Sequence, residues 1–124
     1  MVTKRAVNAQ KLIEAIEDGD VDEVHAILKQ RPRLANGSGN KGERPILVAA
    51  YNLDLKIMTV LLDEFNADVH AKDSRGFNVI ENAAFGFTAQ AKSKGYKDVT
   101  HNKYCKILKL LHDKHGCQTK ASGE

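Results

Sequence analysis

The feature that most constrains this chain is a pattern that returns after 34 residues. Gly42 is matched by Gly76, and the pair Ala49-Ala50 by Ala83-Ala84, each at a separation of 34. The stretch 42–68, GERPILVAAYNLDLKIMTVLLDEFNAD, states the pattern most fully. A proline opens a short helix, two alanines follow, an amphipathic run ends in Leu61-Leu62, and an Asn-Ala-Asp turn closes it. A unit of this length cannot enclose a core by itself, so it must bury its apolar face against its neighbours. That points to an all-α stack.

Taken in order, residues 9–30 predict two short helices. Leu12, Ile13, Ala15 and Ile16 supply the apolar side of the first. Gly19 breaks the pattern, and Asp20 is placed to cap the second. Val21, Val24, Ile27 and Leu28 then recur at helical spacing. Pro32 stops this helix, and 36–40, Asn-Gly-Ser-Gly-Asn, forms a turn-rich connection.

In the second unit Pro45 suits a first helical turn, where a missing N–H costs nothing. Leu55, Met58, Leu61 and Leu62 form the next buried stripe, which Asn66 ends in a left-handed conformation. In the third unit Asn78 caps a helix and Glu81 stands where a capping-box carboxylate reaches back. The pattern then stretches. From Ala83 to Leu110 is 27 residues, against 12 from Ala49 to Leu61, a surplus of 15 that falls in about 86–103. This insertion predicts either a long loop or a helix extension plus loop. Tyr104, Ile107, Leu108 and Leu111 make one face of a last helix, ended by Gly116.

Composition narrows the function classes. At 124 residues and 42% hydrophobic, the chain is one domain's worth of material. No apolar run approaches the roughly 18 residues of a membrane span. The first ten residues hold no apolar segment of the secretory kind, and two cysteines without framework spacing fit a reducing compartment, so a cytoplasmic location is expected. Charge is uneven. Residues 1–85 carry 11 basic and 13 acidic side chains, whereas 86–124 carry 8 and 3.

Three units of about 34 residues, each a loop and two helices, resemble the ankyrin-repeat family. The second unit is the most similar, at Gly42, Pro45-Ile46, Ala49-Ala50, Leu61-Leu62 and Ala67-Asp68. The first resembles it over Ala15, Gly19-Asp20, Val24 and Ile27-Leu28, and the third at Gly76, Ile80, Ala83-Ala84, Leu110-Leu111 and Gly116. The resemblance implies a single domain over 1–118: a capping repeat at about 9–39, a central repeat at 40–73 and an interrupted repeat at 74–118. A disordered tail at 119–124 is expected to follow. The family's Thr-Pro-Leu-His is here Arg44-Pro45-Ile46-Leu47 and Asn78-Val79-Ile80-Glu81, so the loop network is expected to be looser.

The resemblance also implies where a partner sits. Mapped by register, the concave face presents Lys41, Glu43, Arg44, Leu47 and Tyr51 from the second unit. Arg75, Phe77, Asn78, Glu81 and Phe85 come from the third. Tyr51 and Phe85 share one repeat position, and aromatic residues with arginine are what binding hot spots favour. The expected partner is a protein, bound by a monomeric adaptor or inhibitor with no catalysis and no cofactor. The alternative is nucleic acid, held by Lys92, Lys94, Lys97, Lys103, Lys106 and Lys109, with Phe87 and Tyr96 interleaved for base stacking.

His101, Cys105 and His112 fall within about 40° of one another on a helix, with His115 and Cys117 nearby. The spacing matches no known finger, and no metal is expected. The acidic cluster Glu14, Glu17, Asp18, Asp20, Asp22 and Glu23 reads as a solvated face with charges favourable to a helix start.

Overall fold

Side chains cap the N-termini of four helices in this chain, through Asn8, Asp20, Asp54 and Asn78. The computed structural model describes the backbone of residues 8–39, 41–94 and 98–115, with side chains for 8–39, 41–92 and 102–112. Among the described residues every regular element is helical: α1 (Ala9–Glu17), α2 (Val21–Gln30), α3 (Pro45–Tyr51), α4 (Leu55–Thr59), α5 (Val79–Lys94) and α6 (Asp98–His115). A 3-10 turn, Pro32–Asn36, follows α2, and a π turn, Val60–Glu64, extends α4.

The 34-residue spacing seen in the sequence recurs in the backbone. Gly19 (φ +72°) and Leu53 (φ +55°) are both left-handed. Their N–H groups donate to Ile16 and Ala50 carbonyls at the same distance, 2.9 Å. The next residues, Asp20 and Asp54, cap α2 and α4 by accepting from the N–H groups of Glu23 and Ile57, both at 3.1 Å. A left-handed leucine costs about 1–2 kcal/mol, and full burial of its side chain offsets that.

Loops repeat as well. Gly39 N–H donates to Glu43 O at 2.8 Å and Asp73 N–H to Phe77 O at 3.0 Å, while Gly42 and Gly76 close the two turns. Adjacent loops lie close, since a Cβ on Gly42 would sit 3.4 Å from that of Ser74.

Helices α1, α3 and α5 pack side by side as one row, and α2, α4 and α6 form a second row behind them. Leu12, Ile16, Leu28, Ile46, Ile57, Met58, Leu61, Ile107 and Leu111 fill the space between as one continuous core. Each fully buried aliphatic contributes about 1.5–3 kcal/mol. Lateral ties link the units. The Asn36 side chain accepts from Asp68 N–H at 2.6 Å and donates to Asn66 O at 3.3 Å. His25 pairs with Glu64 at 2.8 Å and meets the edge of Phe65. Asn66 is left-handed (φ +55°), as the sequence predicts.

One feature adds to the sequence reading, and one alternative that it left open is decided. Before the turn-rich connection expected at 36–40, Pro32 starts a 3-10 turn, Pro32–Asn36, that buries Ala35. The insertion takes the helix-extension form. At the register where α1 and α3 turn, α5 runs on to Lys94. The reason is tertiary. Gly86 lies directly against the backbone of Tyr51, where a Cβ would overlap the carbonyl oxygen and lie 2.6 Å from its carbon. Beyond that crossing, Gln90 donates to Asn52 O at 3.3 Å, and Phe87 stacks on Tyr104 of α6 at 4.9 Å. Gly116 and the tail at 119–124 lie outside the described residues.

Gly86→Ala is expected to lower stability by about 1–3 kcal/mol through overpacking against Tyr51. The shift of the urea midpoint, at unchanged helical content, checks this.

Candidate functional site

The α1–α3–α5 row and the loops before α3 and α5 border an open cavity of about 290 Å³. Its walls include Glu17 at the end of α1, Arg44, Leu47, Val48 and Tyr51 of the second unit, and Asp73, Arg75 and Asn82 of the third. All three units therefore contribute.

Asp73 organises the third-unit side. One carboxylate oxygen accepts from the N–H groups of Arg75 (2.9 Å) and Phe77 (3.1 Å). The other accepts from the Arg75 guanidinium at 2.8 Å and the Asn82 amide at 3.3 Å. Burial alone would push this carboxyl up. The Arg75 side chain, Phe77 N–H, the Asn82 amide and Arg75 N–H outweigh it and hold the group at about 2, below its ordinary 3.8. Asn82, itself buried, also donates to Asn78 O at 3.0 Å, so the network is closed.

Held in this way, the Arg75 guanidinium stands 5.1 Å from the centre of the Phe77 ring and 6.0 Å from that of Phe85. The two rings meet edge to face at 4.8 Å. This geometry suits cation–π attraction while leaving the arginine side chain 60% exposed. Tyr51 and Phe85, at 42% and 38% exposure, are the exposed large apolar side chains among the described residues. An aromatic and arginine surface of this kind, held by a partly buried hydrogen-bond network, loses little entropy on contact with a partner.

The residues expected on the concave face thus divide. Arg44, Leu47, Tyr51 and Arg75 line one cavity, and Phe77 and Phe85 adjoin it through Arg75. Leu47 needs correction. Expected at the surface, it is only 2% exposed, because its position on α3 belongs to the core row and it reaches the cavity only as part of its wall. Glu81 is committed locally. Its carboxylate accepts from Asn78 N–H at 2.9 Å while Asn78 accepts from Glu81 N–H at 2.8 Å, the capping box read from sequence. Phe85 takes Phe77 as its ring partner within its own unit, rather than Tyr51 of the neighbouring one.

Asp73 and Asn82 are the residues that the sequence reading missed. The signal for Asp73 was present in the run Asp73-Ser-Arg-Gly76, since Asp first and Gly fourth is a turn signature. Nothing local marks Asn82, whose role depends on the loop folding back over α5.

The described side chains of the alternative basic set divide between α5 and α6. Lys92, on α5, is exposed, as are Lys103, Lys106 and Lys109 on α6, while the Lys94 side chain and all of Lys97 lie outside the described residues. Tyr96 does too, and Phe87 is half-buried against Tyr104, so this ring serves the contact between α5 and α6. Cys105 and His112 are exposed on α6, while the His101 and His115 side chains and all of Cys117 lie outside the described residues. Among the described residues no group of three or more His, Cys, Asp or Glu side chains is placed to hold a metal ion. No described helix is long and apolar enough to cross a membrane.

No protein-family model matches this sequence, and no curated protein matches it significantly.

Because the Asp73 carboxyl is held below its unfolded value, its contribution to stability is complete above about pH 4 and is lost as pH falls toward 2. Asp73→Asn is expected to flatten that acid-side loss and to lower stability at neutral pH. Urea midpoints of both proteins between pH 2 and 6 check the sign.

Proposed function

We propose that this chain is a non-catalytic protein-binding module of ankyrin type, in which the face bearing the α1–α3–α5 cavity engages a partner protein. One observation carries the reading. Arg75, Phe77 and Phe85 form a single cluster fixed by Asp73, beside the exposed Tyr51 and a cavity to which three units contribute. Recurrence of turns, caps and hydrogen bonds at 34 residues supports the family assignment. Such a module acts by occupying its partner's surface as an adaptor or inhibitor, as a monomer and without a cofactor. A cytoplasmic setting fits the cysteine usage.

A second reading rests on the exposed lysines of α6, Lys103, Lys106 and Lys109, which could follow a nucleic-acid backbone. Salt separates the two. Phosphate contacts make affinity fall steeply as salt rises, whereas an aromatic interface responds weakly.

The test is capture of a partner by the tagged chain in the presence of nuclease, then titration of the purified pair. Tyr51→Ala with Phe85→Ala is expected to weaken binding by at least about tenfold, the scale of hot-spot loss, with the circular dichroism spectrum unchanged. Replacing Lys103, Lys106 and Lys109 by glutamine should leave it within about twofold, as rim charges do. The reverse ranking, or capture abolished by nuclease, would reject the concave-face reading.

A further inference from the structure

The charges around the cavity are unequally committed, and this difference defines what the cavity accepts. Six ionisable side chains line it: Glu17, Glu43, Asp73, Arg44, Arg75 and Tyr51. Asp73 is neutralised by Arg75 and further satisfied by Asn82 and two backbone N–H groups. Glu43 accepts from Lys41 N–H at 3.0 Å. Glu17 is exposed at the end of α1, where water screens it.

Arg44 is different. It is half-buried at the start of α3, and its Nε–H is shut off from water with no hydrogen-bond partner among the described residues. An unsatisfied buried donor on a charged group is costly, more so than an exposed carboxylate in water. The walls beside Arg44 are Leu47, Val48 and Tyr51, an apolar lining of the right kind for methylenes.

Building on the concave-face reading, we propose that this cavity receives an acidic side chain from the partner protein. The carboxylate pairs with the Arg44 guanidinium, and the methylenes lie against Leu47, Val48 and Tyr51. Arginine is suited to the task because its fork can present two parallel N–H donors to one carboxylate. Engagement of the guanidinium, with a small turn of the side chain, gives the orphaned Nε–H its acceptor. The second guanidinium, Arg75, has its charge offset by Asp73, but its side chain is 60% exposed and its remaining N–H groups can still donate. A cationic side chain would find only Glu17 and one oxygen of Glu43 open to it, and would stand beside the uncompensated Arg44.

The experiment uses the full chain, labelled with nitrogen-15, so that the Arg44 Nε–H is observed directly and assigned by its loss in Arg44→Gln. The probes are three capped dipeptides: acetyl-Leu-Glu-amide, acetyl-Leu-Gln-amide and acetyl-Leu-Lys-amide. The glutamate peptide is expected to shift the Arg44 Nε–H and the amides of Leu47, Val48 and Tyr51 in a saturable way. Its glutamine analogue should bind about tenfold more weakly, the worth of a charge-assisted bond. Arg44→Gln should abolish the preference for glutamate over glutamine, and Glu17→Gln should strengthen binding of the acidic peptide up to about threefold, as removal of a screened repulsion does. Equal binding of the glutamate and glutamine peptides, preference for the lysine peptide, or weakening by Glu17→Gln would each overturn the proposal. So would the absence of any shift at the cavity. If the purified partner still depends on Tyr51 and Phe85 in that case, only the carboxylate assignment fails. If it does not, the concave-face reading fails with it.

Discussion

Backbone contact between α3 and α5 is the constraint on which the rest of this structure depends. Ala49, Ala50 and Ala83 are fully buried, and Gly86 lets α5 cross against the Tyr51 carbonyl. Side chains this small allow the helix axes to approach closely and the larger aliphatics on either side to interdigitate. Because each unit buries its face only against a neighbour, this seam joins the third unit to the first two. It also sets the distance between the loops before α3 and α5, and hence the width of the cavity that they border.

The same seam explains how an exposed aromatic and arginine surface arises here without any special segment. Row packing leaves Tyr51 and Phe85, at one repeat position, partly outside the core. Asp73 then converts a surface arginine into a fixed group by spending both carboxylate oxygens on Arg75 and its surroundings. Rigidity comes from the hydrogen-bonded turn, apolar area from the rings, and charge from Arg44 and Arg75. Each of these features is of the kind that suits recognition.

The third unit is also where the stack changes character. Ile46, Ala50 and Leu53 are buried by α5 and its neighbours, but the residues 34 positions later, Ile80, Ala84 and Phe87, are only half-buried. The helix extension compensates in part. By running past Gly86, α5 gives α6 a longer surface to pack on, with Phe87 stacked on Tyr104 and Ile107 and Leu111 reaching the shared core. The described start of the insertion thus adds to the contact between α5 and α6.

Much of the local structure was legible in the residues themselves. The Asp20 cap, the left-handed Asn66, Pro45 at the start of α3 and the Asn78–Glu81 capping box each depend on one or two neighbours in sequence, and each is present. The apolar periodicity located most of the core, because helical spacing decides which residues share a face. Val21, Leu55, Tyr104 and Leu108 are only half-buried, however, and Ile57, outside the expected stripe, is fully buried. Other features depended on contacts between units. Leu53 takes a left-handed turn with no glycine to announce it, since burial of its side chain outweighs the backbone cost. Leu47 is buried and Phe85 pairs with Phe77 because neighbouring helices settle those environments. Whether α5 stopped at Phe85 or ran on was undecided by local preference. Contact with α3 favours the extension, since Gly86 fits against the Tyr51 carbonyl where any Cβ would force the two backbones apart.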